Sequence, residues 1–505
     1  MDKMQDAYLQ IPYSGATTAV VIGESTMREA DLLPFRAVLW LTQTESDPAL
    51  HVPRGTSLEV VRTDRLNPAM LEQAIDRFVA RNPRRMPSLF IATDAMAEKH
   101  ASYQPLIREV RLALEAHHRA RFTRQQDGFL WQQHLLTNMR AYLASRFPST
   151  WAGRLGGYPA VVCGAGPSLD VSATALAGIS DRAVVLAADS ALRTLARHGV
   201  RADFAVSIDV AKTPEKCLPE EGAWTPDRTI LSAISPPAWS ERADAGKRYF
   251  LSGRQITLDW LASLGVAGTP VAAVENCGAT ALQLARFLGC EPIYLFGMDL
   301  ALDAREPSRR NTKDADGGLY VNSGFNASLR MPTVPGNYSA VVPTHVIGDW
   351  RALDARLADW PPGLVHNVND RGARLRNTVL VKPDNFRLDV AVPDEPKVTA
   401  LRALDETSVD RNDSLLQAAL QALRRSAALG RERLPSIRKA LAQGGPEKAV
   451  GHLRLLLVDE GFGRAMGAFA LKLMPHLVPP IEGDIAFWTK LIDECEELSE
   501  LAGAG

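Results

Sequence analysis

Four short segments place chemically competent residues directly after apolar runs. The first is Cys163-Gly164-Ala165-Gly166-Pro167-Ser168-Leu169-Asp170, which follows the run Ala160-Val161-Val162. Glycines let a backbone turn tightly and approach a ligand. The N–H groups at a helix start attract phosphate. Pro167 suits a first helical turn, and the Ser168 hydroxyl adds a donor. This Gly-x-Gly lacks the third glycine of a dinucleotide fingerprint. A nucleotide- or phosphate-binding turn and a purely structural turn both fit it. The other three segments end in carboxylates: Asp189 after Ala187-Ala188, Asp209 after Val206-Ser207-Ile208, and Asp299 after Leu295-Phe296-Gly297-Met298. Ligands of open α/β sheets sit outside the carboxyl ends of strands. Each aspartate alone also fits a helix cap. As a set they point to one shared crevice.

Further residues join them. Asn276-Cys277-Gly278-Ala279-Thr280 is a loop of small residues, fitted either to close backbone approach or to capping by Asn276 or Thr280. Residues 303–338 are polar and carry Arg305, Arg309, Arg310, Lys313 and Tyr320. A loop this long inside a domain is commonly functional or disordered, and here it reads either as a lid with basic groups or as a solvated loop. His345 is a second candidate proton acceptor beside Asp299, because histidine titrates near neutrality. Metal ligation is not expected: His117-His118 is isolated, and Asp314-Ala315-Asp316 lies in a charged loop.

The elements that must position these groups follow from periodicity. Runs at Thr18 to Ile22, Ala37 to Leu41 and Leu89 to Ala92, with a helix over residues 67–80, predict a small α/β layer. Residues 105–146 have helical spacing, and Gly128 divides them into two expected helices. Strands are expected at 160–163, 184–187, 204–208, 230–231, 271–274 and 293–296, with helices at 191–198 and 280–288 between them. That alternation predicts a doubly wound parallel sheet. Beyond Pro396, helices are expected at 413–429, 435–443, 447–458 and 486–501. The domains read as residues 1–104 (α/β), 105–150 (helical connector), 151–395 (Rossmann-like catalytic domain) and 396–505 (helical).

Composition bounds the function. The 505 residues suit roughly three domains. Lys plus Arg is 57 against 58 Asp plus Glu, a net charge of -1, so broad nucleic-acid binding is not expected. Cys163, Cys217, Cys277, Cys290 and Cys495 form no CxxC, which fits a reducing compartment rather than a disulfide framework or zinc site. No signal core follows the N-terminus, and no apolar stretch of about 18 residues occurs. A cytoplasmic, multidomain protein without a membrane span is the expectation.

Several of these segments carry a family resemblance. They are residues 123–124 and 131–138, Pro159 through Leu169, Leu195 through Asp209, Gly278 to Ala281, Leu288 through Ala301, Val334-Pro335-Gly336, Thr344, and Asn367 to Leu375 with Arg371-Gly372-Ala373. Together they resemble the motility-associated factor (Maf) flagellin glycosyltransferases, whose central domain is related to the MptE-like 6-hydroxymethylpterin diphosphokinases. The resemblance spans roughly residues 120 to 385. It implies a sialyltransferase-like α/β core between an N-terminal α/β and a C-terminal helical domain. It also implies transfer of a nonulosonic acid, of the pseudaminic or legionaminic type, from a CMP-activated donor to Ser or Thr of flagellin, with no further cofactor. Gly164, Gly166, Pro167, Ser168, Asp189, Asp209, Asn276, Gly278, Ala279, Thr280, Tyr320 and Thr344 are then the expected donor-binding set, with Asp299 and His345 catalytic. Relatives often place a His-Gly pair after Asp-Leu-Ala, where this chain has Leu302-Asp303-Ala304-Arg305. A diphosphokinase using ATP and Mg²⁺ and a noncatalytic flagellin-binding protein are the alternatives.

Overall fold

The structure is a computed structural model. It describes residues 8–11, 16–24, 32–43, 52–64, 68–81, 86–92, 95, 102–219, 226–303, 305–306, 309–315, 332–407 and 413–504. It divides into two compact units. The first is Met1–Gly128, Leu441–Arg454 and Phe469–Trp488; the second is Phe129–Ala440, Leu455–Ala468 and Thr489–Gly505.

The first unit holds strands β1 (Tyr8–Ile11), β2 (Thr18–Ile22), β3 (Ala37–Thr42), β4 (Ser57–Arg62) and β5 (Ser88–Ala92). Their order is β1-β5-β2-β3-β4. All pairs are parallel except β1 with β5. β2, β3 and β5 were expected because they are apolar on both faces, as buried parallel strands are. Val21, Trp40 and Phe90 pack there with Leu32 and Phe35. The edge strand β4 is half exposed and shows no clear period, which is why its sequence does not announce it. The helix Pro68–Ala80 begins at its proline, as expected.

Tyr103–Ala144 is one helix of 42 residues, not the expected pair. An interior glycine costs about 1 kcal/mol against alanine. Burial of Leu135, Leu136 and Met139 beyond Gly128 outweighs that.

The second unit is built on β6 (Ala160–Cys163), β7 (Val184–Ala188), β8 (Phe204–Ser207), β9 (Arg228–Ser232), β10 (Arg248–Leu251), β11 (Ile293–Phe296), β14 (Val365–Val368) and β15 (Thr378–Val381). A separate antiparallel pair, β12 (Thr333–Pro335) and β13 (Val341–Pro343), precedes β14. The large sheet has the order β10-β9-β8-β7-β6-β11-β14-β15, every pair parallel. This is the expected doubly wound α/β fold. The chain starts at β6, proceeds outward to β10, then returns to the other flank of β6 with β11. The order therefore reverses between β6 and β11, which makes that gap the switch point.

Two expectations about this sheet need correction. Residues 271–274 are not a strand; Ala272 makes one isolated bridge to Ser252. β10, which was not expected, takes the edge position instead. The helix Cys277–Phe287 packs across β6, β7 and β8.

The segment after Pro396 is helical but is not a unit of its own; its residues fall in both compact units. Lys397–Asp405 is tied to the large sheet by two ion pairs. Lys397 Nζ lies 2.8 Å from Asp203, and Arg228 forms a fork with Asp405 at 2.8 and 2.6 Å. Asp413–Leu457 is two helices meeting at a kink at Gly445 (φ 74°), where the expected break between 435–443 and 447–458 falls, while the break expected at Gly430 is absent. Gly430 ends neither, because this glycine is a packing position: a Cβ there would lie 2.6 Å from Ser499 Oγ. Ile485–Ala504 is the last helix. Among the described residues, no helix is long and apolar enough to cross a membrane.

Candidate functional site

The Gly-rich turn leaves β6 at the switch point and meets the turn leaving β11. Gly164 N–H donates to Phe296 O at 2.8 Å, Gly166 N–H to Gly297 O at 2.7 Å, and Ser168 N–H to Asp299 Oδ2 at 2.7 Å. The expectation of free amides in this turn is therefore corrected for these three, which are all engaged by the β11 turn. The glycines are needed for that contact. A Cβ on Gly164 would lie 2.6 Å from Gly297 O, and one on Gly166 would lie 2.5 Å from Asp299 Oδ2. Pro167 and Ser168 are buried, while Ala165 and Gly166 stay half-exposed at the apex. The helix expected next is a single turn, Leu169–Ser172, continued as a 3-10 turn.

Asp299 is 2% exposed. Its Oδ1 accepts from Asn369 Nδ2 at 2.7 Å. Burial pushes its carboxyl above the ordinary range, opposed by the Ser168 and Asn369 hydrogen bonds and the Arg371 charge, which favour the ionised form. Gly372 has a positive φ (75°), and a Cβ there would lie 2.9 Å from Asp299 Oδ1. Two glycines thus border the carboxylate, one against each oxygen. Gly166 is half-exposed and its backbone packs directly against Oδ2.

A second cluster lies at the carboxyl ends of β7 and β8. Asp189, 3% exposed, accepts from Ser207 Oγ at 2.9 Å and Ser190 N–H at 2.6 Å, and lies 3.4 Å from Cys277 Sγ. Burial, then the charge of Asp209, pushes the Asp189 carboxyl up. Asp209 is exposed and accepts the Ala211 N–H at 2.8 Å. Asn276 caps the helix Cys277–Phe287, accepting from Ala279 N–H at 2.8 Å, and donates to Asp349 at 3.0 Å. Thr280 Oγ1 donates to Asn276 O at 2.9 Å and accepts from Val274 N–H at 3.1 Å. Met298 joins the clusters: its Cε occupies the space a Cβ on Gly278 would need.

The remaining expected residues sit on the far flank. Thr344 is buried and donates to Leu300 O at 2.7 Å, so it anchors β13 to the β11 turn. His345 follows it, half-buried, before the helix Ile347–Ala358. Tyr320 lies outside the described residues. The described part of the 303–338 loop lies against the Gly-rich turn: Thr312 N–H donates to Ala165 O at 2.8 Å, and its hydroxyl lies 3.0 Å from Thr194 Oγ1. Lys313 N–H donates to Asp170 at 3.1 Å, and Asp314 pairs with Arg197. Among the described residues no group of three or more His, Cys, Asp or Glu could hold a metal ion.

Sequence reasoning did not assign Asn369, Arg371 or Asp303 to this site. Arg371 pairs with buried Asp303 at 2.5 Å and with Asp370 at 2.7 Å. The only signal was their place inside or beside segments that carry the family resemblance.

The family profile described as 6-hydroxymethylpterin diphosphokinase MptE-like matches residues 133–305. That span includes β6, the Gly-rich turn and Asp299, and stops before Thr344 and Asn369. No curated protein matches the chain. Among solved structures, the chain is similar to the structure of MAf glycosyltransferase from Magnetospirillum magneticum AMB-1. The identity is 17% and the TM-score 0.48, over 97% of this chain and 79% of that one.

Proposed function

We propose that this chain is a glycosyltransferase that moves a nonulosonic acid, of the pseudaminic or legionaminic type, from a CMP-activated donor to Ser or Thr hydroxyls of flagellin in the cytoplasm, a step serving flagellar assembly and motility. The observation that carries the reading is the convergence at the switch point of the turns after β6 and β11, with Asp299 between them and the cluster around Asp189 alongside. An anionic sugar donor fits a crevice with a half-exposed glycine apex and a cationic flank. Arg305, which pairs with Asp370, and Lys313, next to the Thr312 that bonds Ala165 O, are the basic residues proposed to meet the donor.

In this reading the bond between the anomeric carbon and the CMP phosphate oxygen breaks, and CMP leaves with the bonding electrons. The acceptor hydroxyl oxygen bonds to the anomeric carbon through an oxocarbenium-like transition state, as at other glycosyl centres. Its proton passes to a base. Asp299, beside half-exposed Gly166, is the first proposed acceptor, and His345 the second. Gly164 to Ser168, Asp189, Asp209 and the Asn276 to Thr280 loop are the proposed donor-binding segments, several of them acting from behind the surface because Ser168, Ala279 and Thr280 are fully buried. Tyr320 and Thr344 complete the proposed set.

A second reading has its own support. The matched profile is that of diphosphokinases, and the same crevice suits a nucleoside triphosphate. One experiment separates them. The full chain is incubated with CMP-pseudaminic or CMP-legionaminic acid and flagellin, and intact mass is read. A parallel arm supplies ATP, Mg²⁺ and 6-hydroxymethyldihydropterin. A nonulosonate mass increment on flagellin supports the transferase. ATP consumption without that increment replaces it with the diphosphokinase.

A further inference from the structure

Asp299 is also held from a third strand, and that hold has a defined direction. Asn369 lies just beyond β14 and is fully buried. Its Oδ1 accepts the Arg371 N–H at 2.9 Å, which obliges Nδ2 to face Asp299, where it donates to Oδ1 at 2.7 Å. The Asn369 backbone carbonyl accepts the Tyr338 hydroxyl at 2.8 Å, which holds the main chain in place, while Oδ1 and Nδ2 each keep one partner only in this orientation. The amide therefore loses a partner if it rotates, and a buried polar group without one is costly. Arg371 is fixed in turn by Asp303 at 2.5 Å and Asp370 at 2.7 Å, and Asp370 by Arg305 at 2.8 Å. The groups that face the Asp299 carboxylate are Ser168 from the β6 turn, and Asn369 and Arg371 from the β14 turn.

We propose that Asn369 and Arg371 are positioning residues: by donating to Oδ1 and offsetting the charge, they fix the carboxylate so that Oδ2, which retains acceptor capacity beyond its bond from the Ser168 N–H, meets the acceptor hydroxyl. This rests on the reading of Asp299 as the proton acceptor. An asparagine meets the requirement because it accepts from Arg371 with one atom and donates to Asp299 with the other. A hydrogen bond donated to a carboxylate favours its ionised form. Its loss moves the Asp299 titration upward, so the active carboxylate is lost at higher pH and the acid limb of the rate profile moves up with it.

The test uses the full chain as wild type, Asn369→Leu, Asn369→Asp and Arg371→Lys. Two readouts are taken: the pH–rate profile of nonulosonate transfer to flagellin, and titration by carboxyl-13C aspartate NMR, with the Asp299 signal identified by its loss in Asp299→Asn. In Asn369→Leu both the signal and the acid limb move up by about one to two pH units, with kcat down more than about tenfold and donor KM within about twofold. Asn369→Asp, close to isosteric, sets a second carboxylate against Oδ1 and shifts the titration further, which keeps the test open if the leucine variant does not fold. Arg371→Lys keeps the charge but not the fork, and shifts it less. An unmoved Asp299 titration in both Asn369 variants overturns the inference whatever the activity. A uniform fall in kcat with an unmoved acid limb makes the role structural and overturns it as well. A shifted titration in a chain that transfers no sugar overturns the functional reading and leaves the hold on Asp299 standing.

Discussion

The Asp299 carboxylate at the end of β11 accepts the Ser168 N–H from the end of β6 at 2.7 Å, across 131 residues of chain. These two strands flank the point where the sheet order reverses. The bond closes the base of the crevice there, and it does so only because Gly166 has no side chain.

Gly166→Ala is expected to disrupt this contact. Its Cβ would fall 2.5 Å from Asp299 Oδ2 and 2.6 Å from Gly297 O, and the second of these is backbone that cannot swing away. Overpacking of this kind costs about 1–3 kcal/mol. Thermal unfolding should show a midpoint lower by several degrees, and titration with the CMP-sugar should show weaker binding. Unchanged donor affinity would remove the turn from the donor site.

Asp299→Asn should separate the two proposed proton acceptors. The asparagine must point its NH₂ at either the Ser168 N–H or the Asn369 NH₂, donor against donor. General-base removal costs about 10²–10⁴-fold in rate. Transfer should fall by that factor in Asp299→Asn and by less than about tenfold in His345→Gln, measured as initial rates at saturating donor. The opposite ranking would assign the proton to His345.

Asp189 is expected to lower stability at neutral pH. Burial and the Asp209 charge raise its folded pKa above the ordinary carboxylate range. A raised carboxyl contributes stability that is full below the unfolded pKa and lost as pH rises through the folded one. Asp189→Asn does not titrate, so the variant should gain on wild type as pH rises above the unfolded carboxylate range. Unfolding midpoints over that rise check it, and parallel curves would contradict the assignment.

The Lys397–Asp203 pair, 11% and 8% exposed, holds the helix after Pro396 to the sheet. Lys397→Met leaves Asp203 buried with one remaining hydrogen-bond partner, the Val185 N–H at 2.8 Å. Breaking a buried pair from one side costs about 3–5 kcal/mol. Urea unfolding should show that loss, and adding Asp203→Asn should recover much of it. Without recovery, the helix would owe its attachment to the Arg228–Asp405 fork instead.

Much of the fold was legible because its signals are local. β2, β3, β5 to β9 and β11 are short apolar runs, and such a run is a property of neighbouring residues alone. β4 and β15 escaped because they are partly exposed, and β14 because His366 and Asn367 interrupt its apolar run. β10 was missed, though β9 opens on an arginine just as it does. Gly128 and Gly430 read as helix ends, yet both lie inside helices, because packing of more distant residues outweighs a local propensity near 1 kcal/mol.

The site divides in the same way. The sequence alone determined that Gly164, Gly166, Asp189, Asp209 and Asp299 stand at strand ends, since each directly follows its apolar run. Only the tertiary structure decided what they do there. It engaged the Gly-rich amides with the β11 turn, made Asn276 the cap of the helix Cys277–Phe287 with Thr280 bonded back to its carbonyl, and set Asn369 against Asp299 from 70 residues away. A hydrogen bond between turns of different strands depends on register and burial across the sheet, and no spacing along a single chain segment encodes it.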